Sequence, residues 1–543
     1  MTGAPFLGLP LRLVMVASLL ASPVAWRPHA ARAQTPATGG ASAGGFDATE
    51  FSAVIATALT FLGPRTLEAH PASDFALWGL NGLGALDPAL SVVAPAPTGR
   101  AVPTVVLQNG QTALVSLPRP APDDTNGWAA LVTRFAEEAW QASATLRSGG
   151  GDGLTQSFFD ELFNHLDPYS RYVAPTPATA DRAARDGGAA DVGLTLARDG
   201  ERVVIAGVNT NGPAWPAGLN TGQIVVAVNG HAVEGDSAAR VQALLQGAPD
   251  SRVQVTVAAR TRTGGPGARS TVVLRRASVP PETVYAFSSG SVVILRITSF
   301  SADTAQEMSQ YLDQATQDQK LTGLIFDLRG NRGGVLQQAV TTAALVMDNG
   351  VTAITRGRYP TANRVWAVQG GDMTRGVPIV ILVDGRTASA AEILAAALSD
   401  HRRAVVVGSA TLGKGLVQTF AQMPDGGELF VTWSRVLAPL GWPLQGLGVM
   451  PQVCTSRGEA AVTDQLQSLA DGQPVNRDAV AAARAARFPL PVSRILDIRK
   501  ACPAAVGTDG DLDVARTILD NPAEYKTLQG VIPDPSVLSG TAE

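Results

Sequence analysis

Lysine is nearly missing from this 543-residue chain: of 42 basic residues, only Lys320, Lys414, Lys500 and Lys526 are not arginine. A compositional bias toward arginine explains the other 38 and leaves the exceptions to be accounted for. Cysteine is scarcer, with Cys454 and Cys502 alone, and neither belongs to a metal-ligand pattern. The histidines beyond residue 33, at 70, 165, 231 and 401, stand singly. No metal and no cofactor is therefore expected. Acidic residues (46) outnumber basic ones, and no nucleic-acid partner is expected. Beyond residue 33 there is no uninterrupted apolar span of about 20 residues, so no stable membrane insertion is expected there. Neither Ser-x-x-Lys nor His-Glu-x-x-His occurs, which leaves β-lactamase and zinc-protease readings without support.

What is present centres on residues 382–418. Two apolar runs, 377–383 and 404–408, read as buried strands, and the Ala-rich segment 388–399 between them reads as a helix after an Asp384-Gly385 turn. Ser389 thus sits where a strand hands over to a helix. Lys414 follows the second strand, between Gly413 and Gly415, with no bulky neighbour to keep it from a serine. A serine hydroxyl is a weak nucleophile until a base takes its proton. Arginine cannot be that base, whereas a lysine desolvated in an apolar site can. On pattern alone a Ser/Lys dyad and a solvated loop lysine remain open. His401 follows Ser389 by 12 positions, roughly 18 Å along an unbroken helix at about 1.5 Å per residue, too far to serve as the base. Asp400 and His401 read as helix-end residues making structural hydrogen bonds.

Three strings, Thr387-Ala388-Ser389-Ala390-Ala391-Glu392, Asp400-His401-Arg402-Arg403-Ala404 and Gly413-Lys414-Gly415-Leu416-Val417-Gln418, resemble the carboxy-terminal processing (tail-specific) serine peptidases with a PDZ domain. In that family the nucleophile precedes the lysine by 25 residues, the separation of Ser389 and Lys414 here. The resemblance implies Ser389 as nucleophile, Lys414 as general base and Gln418 as the residue orienting the lysine. It also implies that the loop Asp327-Leu328-Arg329-Gly330-Asn331-Arg332-Gly333-Gly334 faces the serine, so that Gly333 or Gly334, with Ala390, forms the oxyanion hole through backbone N–H groups. Which glycine donates is open. Arg329 is expected to brace that loop. Leu166-Asp167-Pro168-Tyr169-Ser170-Arg171-Tyr172 resembles another family segment. Gln452, Ala391 and Arg332 depart from the family's usual Asp, Ser and Pro without removing a catalytic group.

The resemblance covers roughly residues 155–453 and implies an α+β multidomain chain, a crotonase/ClpP-like βα core preceded by a PDZ domain. The expected divisions are a signal peptide (1–33), a mainly helical N-terminal region (34–186), the PDZ domain (187–278), the serine peptidase domain (279–454) and a helical tail (455–543). Residues 1–33 carry Arg12, an apolar core and Ala31-Arg32-Ala33, the pattern of a secretory signal with a small-residue cleavage site, so export to a periplasmic or extracellular space is expected. There, Cys454 and Cys502 can form one disulfide.

In the PDZ segment five short strands and an amphipathic helix over 236–245 are expected, with Val241, Leu244 and Leu245 on one face. Val192, Gly193, Leu194 and Thr195 are expected to form the nest of N–H groups that holds a peptide's terminal carboxylate. Leu86-Asp87-Pro88 and Leu166-Asp167-Pro168 repeat at an offset of 80, read equally as a duplicated helical hairpin or as coincidence. The expected partners are protein or peptide substrates with apolar C-termini, with an adaptor or a homo-oligomer left open. The expected function is an exported serine endopeptidase acting on chains chosen by their C-terminal tail. The rival is a non-catalytic PDZ peptide-binding scaffold.

Overall fold

Six strands build the sheet on which the site depends, and five of them are parallel. The computed structural model describes residues 45–96, 102–179, 190–209, 211–261, 265–279, 282–318 and 321–533. The secretory-signal reading at 1–33 lies outside these residues. In the main sheet Val284–Ser289 pairs antiparallel with Val292–Ile297, and then Gly323–Asp327, Ile379–Val383, Ala404–Gly408 and Val453–Cys454 follow in parallel, in chain order. Strands buried on both faces read as continuous apolar runs, which is why 379–383 and 404–408 carry almost no polar residue.

Alternate side chains of these strands go to opposite faces. Val293, Leu295, Leu324, Phe326, Ile381 and Val406 meet the helices Thr304–Asp318, Leu336–Ala344 and Ala390–Asp400. On the other face Ile294, Ile325, Val380, Leu382 and Val405 meet Leu469, Val514, Ile518, Leu519 and Leu528 of the C-terminal helices Glu459–Ala470, Asp509–Asp520 and Pro522–Gln529. The tail is therefore the second helical layer of the core. A disulfide between Cys454 and Cys502 ties it to the last strand.

A second sheet is ordered Arg364–Gln369, Asn349–Arg356, Glu428–Leu437, Leu416–Gln422, and its last strand follows Lys414. The short strand Arg171–Val173 pairs with Glu428–Leu437 and draws the N-terminal region onto this sheet. That region is helical at Ala48–Leu62, Ala72–Leu80, Thr125–Ala142 and Ala144–Phe163, as its composition suggests. It also holds a three-stranded antiparallel sheet, Leu90–Val93, Thr104–Asn109 and Thr112–Pro118, that the mainly helical reading passed over. The signal was Gly110, at φ 58°, which with Gln111 forms a two-residue hairpin loop between Asn109 and Thr112.

The repeated Leu-Asp-Pro turns share a local device, an aspartate accepting from the backbone two residues on. Their strands part company: Leu90–Val93 pairs with Thr104–Asn109, and Arg171–Val173 with Glu428–Leu437.

A third large sheet runs Pro266–Arg275, Arg252–Arg260, Ile224–Val228, Arg202–Val208, Leu194–Asp199, which leaves Leu194–Asp199 at an edge beside the helix Ala238–Leu245. Val241 and Leu245 are buried, but Leu244 is exposed, so the apolar stripe follows i, i+4 rather than including its neighbour.

Candidate active site

Ser389 is the hinge between the strand Ile379–Val383 and the helix Ala390–Asp400, at φ 56° and ψ −120°. A non-glycine residue there stores on the order of 1–3 kcal/mol of strain, which the surrounding bonds must hold. They do. The buried Asp384 carboxylate accepts the N–H groups of Gly330, Arg386 and Thr387, and Thr387 Oγ1 donates to the Leu328 carbonyl. The Ala388 N–H reaches the Asn331 carbonyl at 2.9 Å. The serine turn and the 327–334 loop are thus stitched into one unit.

Glu392, fully buried one turn into the helix, joins the serine to the lysine loop. Its Oε2 accepts the backbone N–H of Ser389 at 2.8 Å and that of Lys414 at 2.9 Å. Oε1 accepts the Gly413 N–H at 2.7 Å and the Thr411 hydroxyl. Burial, the largest influence, holds this carboxyl above its usual range, while the four donors act in the opposite direction. All four partners are donors, so the group acts as an acceptor-only carboxylate. Sequence reasoning quoted Glu392 within a motif and missed this role. A capping-box signature, Ser389 followed three residues later by Glu, was the available signal.

Lys414 is half-buried, and its amine lies over the Tyr169 ring, 4.8 Å from the centroid. Desolvation first, and the Arg171 charge second, hold its pKa below the ordinary lysine value. The flanking glycines have a reason beyond leaving room for the lysine. A Cβ on Gly415 would lie 2.3 Å from the Gln445 nitrogen, and one on Gly413 would lie 2.9 Å from the Gly446 carbonyl carbon. The lysine loop is thus laid against the backbone of 444–446.

Gln418 lies on the strand Leu416–Gln422 that follows the lysine loop, with its amide donating to the Tyr169 carbonyl. Among the described residues no hydrogen bond joins Gln418 to Lys414, or Lys414 to Ser389. Tyr169, which the sequence placed in a motif without a role, therefore engages both of the lysine-side residues. Its segment is fixed by Asp167, which accepts from the Tyr169 and Ser170 N–H groups and from Thr432 Oγ1.

Across from Ser389 lies Gly333: a Cβ there would come within 2.7 Å of the Ser389 Cβ and 2.9 Å of the Ala390 nitrogen. The Gly333 N–H, however, already donates to Asn331 Oδ1 at 2.8 Å. Among the described residues the N–H groups of Gly334 and Ala390 donate to none. Gly334, at φ 143°, lies so close to Phe300 that a Cβ would be 2.1 Å from its carbonyl oxygen. Arg329 braces the loop, with bonds to Asp327 and to the tail at Thr508 and Asp511. His401 Nε2 is 2.7 Å from the Val351 carbonyl, and Asp400 accepts from Trp442 and Arg484, so both serve the helix end. Gln452 Oε1 accepts the Val406 N–H at 2.8 Å, a side-chain bond to the strand Ala404–Gly408. Beside Leu416 a cavity of about 280 Å³ is lined by Leu166, Leu416, Thr432, Arg435, Gln445 and Phe488 among others.

Residues 291–455 match the family model described as Peptidase family S41, and residues 204–258 match a PDZ domain. Over 304 residues the chain is 32% identical to the "C-terminal processing peptidase, chloroplastic" of Tetradesmus obliquus, covering 53% of this chain and 64% of that protein. Over 291 residues it is 32% identical to the "Carboxy-terminal processing protease CtpA" of Bacillus subtilis (strain 168), covering 53% of this chain and 60% of that protein. Both matches span less than two thirds of the relative's length. Among solved structures, a "Photosystem II D1 C-terminal processing protease" is 27% identical, with 70% of this chain and 92% of that chain covered and a TM-score of 0.37.

Proposed function

Because this chain carries a peptidase family S41 domain beside a PDZ domain, we propose that it is an exported serine endopeptidase that cleaves proteins selected by their C-terminal tail. The observation that carries the reading is the Glu392 carboxylate, one oxygen of which holds the backbones of Ser389 and Lys414.

In the mechanism, neutral Lys414 takes the proton of Ser389 as Oγ attacks the scissile carbonyl. The N–H groups of Ala390 and Gly334 receive the developing oxyanion. The lysine returns the proton to the leaving amine, and water then hydrolyses the acyl-enzyme. In the conformation described, the amine rests over Tyr169, so catalysis requires a side-chain rotation of Lys414 toward Ser389. Catalytic contacts of this kind commonly tighten only with substrate in place. Gln418 then holds the lysine once its amide leaves the Tyr169 carbonyl. The cavity beside Leu416 takes a substrate side chain.

Export rests on the pattern of residues 1–33. No helix among the described residues is long and apolar enough to cross a membrane. The test is incubation of the purified protein, Ser389→Ala and Lys414→Ala with an unfolded protein bearing an apolar, uncharged C-terminus. Cleavage by the unsubstituted protein alone is expected. Cleavage that survives either substitution rejects the mechanism, and binding without cleavage by all three supports the scaffold alternative.

A further inference from the structure

The edge of the PDZ sheet is already occupied at one end by side chains of its own domain. Among the described residues the strand Leu194–Asp199 has no partner on its outer side, and the helix Ala238–Leu245 flanks it, the arrangement in which an extended peptide adds a strand. A chain ending there presents two groups in fixed order. Its terminal carboxylate enters the nest of N–H groups before the strand, and its last N–H meets the first strand carbonyl.

Both places are filled. Asp191 Oδ1 accepts the Val192 N–H and, at 3.3 Å, the Gly193 N–H. Gln242, from the helix, donates from Nε2 to the Leu194 carbonyl at 2.9 Å, and from the same nitrogen to Asp191 Oδ2 at 2.9 Å. A carboxylate in the nest and an amide N–H on the strand carbonyl, joined to each other, reproduce the polar outline of a peptide's last residue.

The loop that carries them is closely fitted. Gly193 lies at φ 79°, and a Cβ on it would come 2.7 Å from the Gly212 Cα. Arg276 fixes the helix, donating to the Leu244 and Leu245 carbonyls at its C-terminal end.

We propose that Asp191 and Gln242 form an internal stand-in for the terminal residue of a bound peptide, so that a peptide with a free C-terminal carboxylate enters this site only by displacing them. The ligand class follows from the groups displaced: an extended peptide whose end supplies both a carboxylate and an N–H. This deepens the proposed selection of substrates by their tails and rests on that reading. Affinity is lowered by the fraction of time the stand-in holds the site, and removing the stand-in restores it.

The test measures binding in the full chain carrying Ser389→Ala, by fluorescence anisotropy of a labelled peptide ending in Leu-Ala-Ala with a free carboxylate, against the same peptide amidated. Asp191→Ala is expected to tighten binding of the free-carboxylate peptide about tenfold or more and to leave the amide weak. Gln242→Ala, which clears the strand carbonyl without touching the nest loop, is expected to tighten it as well and covers the case in which the Asp191 variant misfolds. Unchanged or weaker binding in both variants, or equal tightening for the amidated peptide, overturns the proposal. Binding is read here without turnover. An inactive protein whose variants bind more tightly therefore sinks the peptidase reading and keeps this one, while an active protein whose variants do not sinks only this one.

Discussion

At Lys414 two effects act in one direction, since burial and the nearby Arg171 both disfavour the ammonium form. A general base works only when unprotonated, so kcat/KM is expected to rise with pH through a lysine pKa lying below its ordinary value. A flat profile from weakly acidic to alkaline pH counts against Lys414 as the base. Lys414→Arg is expected to be inactive at every pH, because a guanidinium keeps its proton. The linkage to stability has the same sign. The folded chain binds this proton less readily than the unfolded chain, so stability rises with pH between the depressed folded pKa and the ordinary unfolded one. Thermal melts of the unsubstituted protein and Lys414→Met are expected to converge above that window and to separate below it, with the substituted protein the more stable.

The strand-helix-strand unit around Ser389 was legible because each element carries its own signal: continuous apolar runs for strands buried on both faces, and an Ala-rich stretch for the helix. Its seams were not legible, because a hydrogen bond between Glu392 and residues 413–414 depends on a return path that no local pattern encodes. The same holds for Tyr169, brought to Lys414 by the pairing of Arg171–Val173 with Glu428–Leu437 and by the bond of Thr432 to Asp167. The seam can be tested at Glu392. Replacing it with Gln turns one acceptor oxygen into a donor facing N–H or O–H groups. Glu392→Gln is expected to lower stability by about 1–3 kcal/mol, the usual cost of an unsatisfied buried polar group. It is also expected to reduce kcat more than KM, because the backbones of Ser389 and Lys414 lose their common anchor. Thr411→Val, which removes only the hydroxyl donor to Oε1, is expected to be milder in both respects. Equal activity for all three proteins at one temperature would remove Glu392 from the positioning of the site.

Over the whole molecule the C-terminal helices do two things at once: they cover the sheet face opposite the Ser389 helix, and they reach around to that helix's own end. Arg484, in the helix Arg477–Ala485, is completely buried and donates to Asp400 Oδ1 at 2.9 Å and Ser399 Oγ at 3.1 Å, with its guanidinium 4.6 Å from the centroid of the Trp442 ring. Asp400 also accepts the Trp442 indole N–H at 2.8 Å. Burial drives the Asp400 carboxyl up against the pull of Arg484, so the ion pair persists only while both members are present. Arg484→Ala leaves a buried carboxylate without its countercharge and is expected to cost about 3–5 kcal/mol. Arg484→Met with Asp400→Leu removes both charges and is expected to recover much of that loss, since an apolar pair of similar volume has no charge to desolvate. Urea denaturation of the three proteins measures the difference. If the single substitution proves as stable as the parent, the tail is not fastened to the Ser389 helix through this pair. If it is destabilised and the double substitution is not rescued, packing against Trp442, rather than the charge, is what Arg484 supplies.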